Sequence, residues 1–175
     1  MKKLLLVLLV VYSSCSSNSG TSTGNPLVVL NFKSFSPLTA QDIGAQSVSN
    51  LKMCFKRLRF KPVTGLDENI DLVLDEVSIS ASGILVTTAS IPVGTYSRVE
   101  FDLDTHCASG KSVQLTNTTG TFNSLDTITI RFDGTFVHTA SQNLDLNIQS
   151  IVSALNTVNS DADIKLKAQS VSGNF

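Results

Sequence analysis

The sequence predicts an all-β fold of antiparallel strands, arranged as a sandwich or a barrel. From residue 27 onward, apolar and polar residues alternate in many short runs, which is the pattern of half-buried strands. Turn-forming pairs such as Ser82-Gly83, Ser109-Gly110 and Asp133-Gly134 separate these runs. About eight short strands at this spacing are typical of such folds, and the polar side of each run indicates sheets with one solvated face.

The predicted elements follow one another along the chain. Alternating apolar residues mark the strands in this order: Val28, Leu30 and Phe32; Leu72 and Leu74, then Val77 and Ile79; Ile84 and Val86; Val99, Phe101 and Leu103; Ile128, Ile130 and Phe132; Leu144, Leu146 and Ile148; Ile164, Leu166 and Ala168. Ile148, Ile151, Val152 and Leu155 instead recur at helical spacing, which predicts one short helix over residues 149 to 157. Residues 36 to 50 have no clear period and predict a loop or a single helical turn.

The first fourteen residues predict a signal sequence for export. Lys2 and Lys3 precede an unbroken apolar run from Leu4 to Val11, and serines follow soon after it. A helix of that length is too short to cross a hydrocarbon core of about 30 Å. The run is therefore interpreted as the hydrophobic region of a cleaved leader over residues 1 to 14.

Cys15 lies where this hydrophobic stretch ends, directly after Tyr12-Ser13-Ser14. The segment resembles the lipobox of bacterial lipoproteins, in which small residues precede a cysteine that is lipidated and becomes the new N-terminus. Tyr12 stands where that family usually has an aliphatic residue. The resemblance implies lipidation of Cys15 and a place in the bacterial cell envelope, at the outer membrane or the periplasmic face. Stable anchoring takes two or more acyl chains.

The rest of the chain is predicted to form a tether and one domain. Residues 15 to 26 are the lipidated cysteine and a flexible tether of small polar residues, too polar to order themselves by burial and reaching about 18 Å. Residues 27 to 175 form the β-sandwich domain. Removal of residues 1 to 14 leaves 11 of the 13 basic residues against 14 acidic ones, a net charge near −3. This charge argues against nucleic acid as a partner.

A bend over Ile91-Pro92-Val93-Gly94-Thr95-Tyr96 leads into the strand from Ser97 to Asp104. Pro92 suits a strand end because it has no N–H for a ladder, and Gly94 permits the bend. The segment resembles the bend of prealbumin-like sandwich domains, which include carboxypeptidase-regulatory-like modules. With Leu144-Asp145-Leu146-Asn147, it is similar to a family of uncharacterised bacterial lipoproteins carrying such a domain. The resemblance implies an antiparallel β-sandwich, prealbumin- or immunoglobulin-like, and an anchored location, but no catalytic residues.

No set of residues predicts catalysis, a cofactor or a metal site. The nucleophile-elbow letters of Gly20-Thr21-Ser22-Thr23-Gly24 lie in the tether, without the strand and helix that an elbow needs. Glu100, Asp102, Asp104 and His106 share one strand face, where alternate residues lie about 6.6 Å apart, too far to converge on one ion. Only Asp104 and His106, at the strand end, could share an ion with help from a loop. A solvated face is the favoured interpretation.

Five basic residues lie within ten positions: Lys52, Lys56, Arg57, Arg59 and Lys61. They predict either contact with anionic envelope material or pairing with the carboxylates of a neighbouring acidic strand. Pairing is the favoured interpretation.

Cys54 and Cys107 remain as an even pair if Cys15 is lipidated, and they predict a disulfide in an oxidising compartment. One antiparallel register, with Cys54 opposite Cys107, also aligns the residues around them. On the core side it sets Leu58 opposite Leu103 and Phe60 opposite Phe101, and on the other side Arg57 opposite Asp104, Arg59 opposite Asp102 and Lys61 opposite Glu100. Lys56 then falls on the core side opposite Thr105 and must extend to water. The competing interpretation is two unrelated thiols, one buried and one in a loop.

The leading functional hypothesis is a non-catalytic, membrane-anchored lipoprotein that binds or scaffolds an envelope protein or polymer. One alternative is a secreted hydrolase whose site is built by loops. Another is a structural or adhesive subunit that acts through exposed sheet edges.

Overall fold

The computed structural model describes residues 24–34, 48, 50–72 and 74–175. The predicted signal sequence, Cys15, most of the predicted tether and most of the segment 36 to 50 lie outside these residues. Within them, two sheets and two short helices confirm the predicted all-β sandwich. The strands are β1 (Leu27–Phe32), β2 (Asn50–Pro62), β3 (Glu68–Asp71), β4 (Glu76–Ser78), β5 (Ile84–Ser90), β6 (Gly94–Leu103), β7 (Val113–Thr116), β8 (Thr121–Ser124), β9 (Ile128–His138), β10 (Gln142–Leu146) and β11 (Gly173–Asn174), and the helices are α1 (Gln149–Asn156) and α2 (Asp163–Gln169).

The two sheets differ in size. The smaller sheet has the strand order β10-β1-β5. In the larger sheet the hydrogen-bonded neighbours run β11-β9-β6-β2-β7-β8, where β6 and β7 pair with different stretches of β2, and β3 and β4 pair with β2 as well. The predicted antiparallel arrangement holds for most strand pairs. It is wrong for two: β1 runs parallel to β10, and β11 runs parallel to β9.

Aromatic side chains from both sheets meet in the core. The ring of Phe32 in β1 stacks on Phe132 in β9, with 5.6 Å between ring centroids. Phe101 in β6 makes edge-to-face contacts with Phe32 and Phe55, with 5.8 Å and 5.3 Å between ring centroids. All four rings are buried. The predicted apolar faces of β1, β6, β9 and β10 are therefore confirmed as the sides that pack inward.

The long strand β2 changes its buried face at a β-bulge. Its inward-facing residues have odd numbers before the bulge and even numbers after it: Leu51, Met53 and Phe55, then Leu58 and Phe60. The register against β6 shifts between Phe55 and Arg57, so Lys56 is the extra residue. Lys56 and Arg57 are both exposed. The bulge removes the need to bury Lys56, which unbroken alternation would have placed on the core side.

The helices follow β10. The predicted short helix is confirmed as α1, whose Ile151, Val152 and Leu155 are buried. The strand predicted from Ile164, Leu166 and Ala168 is wrong, because these residues form α2. Ile164 and Ala168, four positions apart, are buried, whereas Leu166 is 67% exposed. Such a short apolar run is compatible with the two-residue period of a strand and with the 3.6-residue period of a helix. Packing of α2 against α1 and β9 favours the helix.

Candidate functional site

The Cys54–Cys107 pair lies at β2 of the larger sheet, at the point where β6 ends and β7 has not yet begun. β6 and β7 lie along the same edge of β2, β6 beside residues 55–62 and β7 beside residues 50–53. Between them the chain leaves the sheet as the disulfide loop, residues 104–112. The N–H of Cys54 donates to Ser112 O at 3.0 Å, and the carbonyl of Cys54 accepts from the N–H of Asp104 at 3.0 Å. Cys54 thus holds both ends of the disulfide loop through its backbone.

Cys107 lies in the disulfide loop and not in β6. Its sulfur is bonded to that of Cys54, with 5.9 Å between the Cα atoms. The disulfide and the antiparallel pairing of β2 with β6 are therefore as predicted, but the predicted register is wrong by two residues. Leu58 lies opposite Phe101, and Phe60 lies opposite Val99. A shift of two keeps every side chain on its own face, so the core side downstream of the bulge is still the predicted one.

The bulge also moves Cys54 to the outer face of β2, away from the core side on which it was predicted. Cys54 and Cys107 are nevertheless 0% and 7% exposed, because the disulfide loop folds over them. His106 lies against the bond, with its Nδ1 3.4 Å from the sulfur of Cys54. Its Nε2 lies 3.1 Å from Leu74 O, and since a carbonyl can only accept, Nε2 carries the proton. Adjacency to Cys107 was the sequence signal that could have placed His106 here.

Cys54, His106 and Cys107 bring their potential metal-binding atoms within 4.8 Å of one another. In the disulfide, however, the two sulfurs are bonded to each other and are not the thiolates that ligate metals. The remaining metal candidate is the predicted pair of Asp104 and His106. Oδ1 of Asp104 lies 3.7 Å from Nδ1 of His106. The Lys56 ammonium engages Asp104, and this hydrogen bond holds the pKa of Asp104 below its usual value of 3.8. Lys56 engages Oδ2 of Asp104, whereas Oδ1, the oxygen near Nδ1 of His106, also accepts from the backbone N–H of His106 at 2.9 Å.

The basic cluster of β2 is paired with carboxylates along its whole length, as the pairing interpretation expected, although these carboxylates come from β3, β4, β6 and two loops and not from one acidic strand. Its partners are Glu76 for Lys52, Asp104 for Lys56, Asp71 for Arg57, Glu100 and Asp102 for Arg59, and Asp67 for Lys61. Of the three predicted ion pairs, only Arg59 with Asp102 is present, at 2.6 Å. The other two are wrong because the register is shifted and because Lys56 takes the place of Arg57 beside Asp104.

Glu100 is the most buried carboxylate of this outer face, at 6% exposed. It lies between two guanidinium groups, 3.2 Å from Arg59 and 3.5 Å from Arg98. Arg98 also contacts Asp133 at 2.6 Å. Burial opposes ionisation of Asp133, but the hydrogen bonds from Arg98 and Ser172, together with the charges of Arg98 and Arg131, lower the pKa of Asp133. Of the three carboxylates predicted to share a strand face, Glu100 and Asp102 are thus paired with arginines, and Asp104 is paired with Lys56.

A groove of about 540 Å³ lies at the end of the sandwich where β2 ends and β6 begins. Its walls are the loop after β2, with Val63 and Leu66, and the bend before β6, with Val93. These three side chains are exposed. The buried Tyr96 shapes the bend by donating from its hydroxyl to Pro92 O at 2.8 Å, as in the tyrosine corners of other sandwich domains. The bend was recognised in the sequence, but no pattern there marked Val63 and Leu66 as its neighbours.

Comparison with protein-family models, with curated proteins and with solved structures found no match to this chain. The lipoprotein resemblance therefore stays a prediction. In the part of the chain that the structure describes, no helix has the length and apolar character needed to cross a membrane.

Proposed function

We propose that this protein is an exported lipoprotein of the bacterial cell envelope, anchored by lipid on Cys15, whose sandwich binds or scaffolds an envelope protein or polymer without catalysing a reaction. The observation that carries the proposal is the use of the three cysteines. Cys54 and Cys107 are bonded to each other, and disulfides persist in oxidising compartments such as the periplasm. The third cysteine, Cys15, stands at the end of an apolar run that follows two lysines.

The engagement of titratable side chains favours a binding domain over a hydrolase. Asp104 is held by Lys56, and Glu100 lies between two arginines. His138 is fully buried and donates from Nε2 to Pro26 O at 3.3 Å. Hydrolysis needs a base within reach of both a nucleophile and the substrate. Groups held in this way serve the fold.

The domain is further proposed to be of the prealbumin-like kind that the lipoprotein resemblance implies. The corner from Ile91 to Tyr96 between β5 and β6, with its tyrosine hydroxyl bonded back to Pro92, supports this assignment. The two-sheet architecture supports it as well.

The anchor is tested by expressing the full chain in a bacterium supplied with an alkyne-labelled fatty acid. The wild-type protein is expected to carry the label and to need detergent for release from membranes. Cys15→Ser is expected to lose the label and to accumulate as precursor or as a soluble form. Ser16→Ala changes the residue next to the cysteine that is expected to carry the lipid. It is the matched control and should behave as wild type. A mature Cys15→Ser protein that still needs detergent would overturn the proposal.

The choice between binding and catalysis is tested separately. Cross-linking in intact cells, followed by identification of the trapped species, is expected to yield one reproducible envelope protein or polymer. Turnover by the purified protein on a panel of esters, peptides and glycosides would favour the hydrolase alternative.

A further inference from the structure

Most of the large apolar side chains that the described residues expose lie at one end of the sandwich. This apolar end consists of Leu27, Val63, Leu66, Val93 and Val137, which are 47%, 59%, 89%, 63% and 56% exposed. Val63, Leu66 and Val93 project from two loops, whereas Leu27 begins β1 and Val137 lies next to the end of β9. An exposed apolar group of this kind marks an interaction surface.

Strand pairing places these residues together. At this end Leu27 lies opposite Ser90, the last residue of β5, and Gly94 lies opposite His138, the last residue of β9. Pro62, where β2 ends, lies opposite Tyr96 in β6. The starts of β1 and β6 and the ends of β2, β5 and β9 therefore share one end of the molecule.

The chain from Cys15 joins the domain at this same end. The carbonyl of Pro26 accepts hydrogen bonds from the N–H of Ile91 and from Nε2 of His138, each at 3.3 Å. The carbonyl of Asn25 accepts from the Ser90 hydroxyl at 3.0 Å. The donors lie at the ends of β5 and β9, one strand from each sheet, so Asn25 and Pro26 are held at the same end of the sandwich as the bend that carries Val93.

We propose that the apolar end inserts into the lipid surface to which Cys15 anchors the chain. This inference rests on the proposed lipoprotein function. The eleven residue steps from Cys15 to Pro26 span at most about 40 Å, so the anchor holds the domain close to the bilayer. Because the chain from Cys15 enters the domain at the apolar end, that end is held nearer the bilayer than the opposite one. The loop segments 62–67 and 91–94 contain no Lys or Arg. Apolar burial at the headgroup boundary, about 5–10 Å deep, therefore provides the attraction, and anionic lipid is not required.

Insertion gives the domain an orientation. β6 is ten residues long, so the disulfide loop that follows it lies about 33 Å from the apolar end. The start of β9 and the preceding loop with Leu125 lie at that far end too, since Ile128 pairs with Leu103. The disulfide loop then faces away from the membrane, where an envelope partner can reach it.

The chain has no tryptophan, so one introduced indole reports its own surroundings. Leu66→Trp is placed in the lipidated full-length protein, purified in detergent and reconstituted into vesicles of phosphatidylethanolamine and phosphatidylglycerol. We expect a blue-shifted emission and strong quenching when part of the lipid carries bromine on its acyl chains. Leu125→Trp, an exposed leucine at the opposite end (67% exposed), is the matched control and should show neither effect. Lowering the fraction of phosphatidylglycerol should leave the Leu66→Trp signal unchanged.

Mass spectrometry of the N-terminal peptide distinguishes failure of the proposed orientation from failure of the proposed lipid anchor. If Cys15 carries diacylglycerol but the two indoles emit and are quenched alike, the orientation is overturned and the anchor stands. If Cys15 carries no lipid, the proposed function and the orientation fall together. Val93→Trp, in the second loop, repeats the test should Leu66→Trp fold poorly, and it should behave as Leu66→Trp does.

Discussion

Cys54 lies within β2, whereas Cys107, its disulfide partner, lies in the loop that separates β6 from β7. The bond therefore does not join two paired strands. It fastens the disulfide loop to β2, the strand with which both β6 and β7 pair, and the backbone of Cys54 already binds both ends of that loop. The covalent bond and the hydrogen bonds act on the same nine residues.

Breaking this bond should lower stability substantially. The disulfide closes a loop with a sequence separation of 53, which contributes about 4 kcal/mol in the chain-entropy model. A dithiol reductant should move the urea midpoint of the wild-type protein downward. The Cys54→Ala/Cys107→Ala protein should have a lower urea midpoint than the wild type, and the reductant should not change that midpoint. Equal midpoints with and without reductant in the wild type would count against the bond.

Removal of Arg59 should be far more costly than removal of Lys61. Arg59→Met leaves the buried Glu100 with only the longer contact to Arg98, and an incompletely paired buried carboxylate costs about 3 kcal/mol. Lys61 pairs with Asp67, a partly exposed partner, and Lys61→Met should cost less than about 1 kcal/mol. Urea unfolding of the two variants measures both values. Equal losses would show that the Arg59 network is no more important than a surface pair.

Acid should destabilise the fold through Asp104 and Asp133. Both have pKa values held below the usual 3.8, Asp104 chiefly by Lys56 and Asp133 by Arg98 and Ser172 against the effect of burial. Their contribution is complete above pH values near 3.8 and is lost as the pH falls through the lower folded-state values. Thermal unfolding from about pH 6 to about pH 2 should show this loss. Asp104→Asn/Asp133→Asn should be less stable at neutral pH and should lose less on acidification; parallel curves would refute the assignment.

Two substitutions test whether the segment of α2 forms a helix or the strand that its alternating apolar residues predicted. Ala168→Asp places a charge at a buried position, and Leu166→Asp places one at a position that is 67% exposed. The helix predicts a large loss of melting temperature for Ala168→Asp and little change for Leu166→Asp. In a strand both residues would lie on one buried face, and both substitutions would lower the melting temperature. Similar losses of melting temperature would therefore contradict α2.

The long, regular strands could be predicted because their apolar residues keep period two over many positions. Val99, Phe101 and Leu103 in β6 and Ile128, Ile130 and Phe132 in β9 illustrate this. In β2 the alternation breaks at Lys56, and the sequence gives no local sign of the bulge because a lysine fits an exposed position of either register. The bulge is favoured only once β6 is present to bury Phe55 and Leu58 on the same side.

The candidate site was predicted in part, for a related reason. The pairing of Cys54 with Cys107 follows from counting cysteines, but the register does not, since a shift of two residues preserves every face and still pairs Arg59 with Asp102. The position of Cys107 in a loop depends on Asp104 and Ser112 sharing hydrogen bonds with one residue of β2. Such a contact has no periodic signature in the sequence.

Intact mass measurement of the protein purified from membranes without reductant decides whether the chain is a lipid-anchored, disulfide-bonded protein. We expect a chain that begins at Cys15, carries diacylglycerol on that residue, and lacks the two hydrogens removed by one Cys54–Cys107 bond. The peptide that contains Cys54 should be linked to the peptide that contains Cys107. A mature chain with an unmodified Cys15, or with a different first residue, would contradict the lipoprotein account.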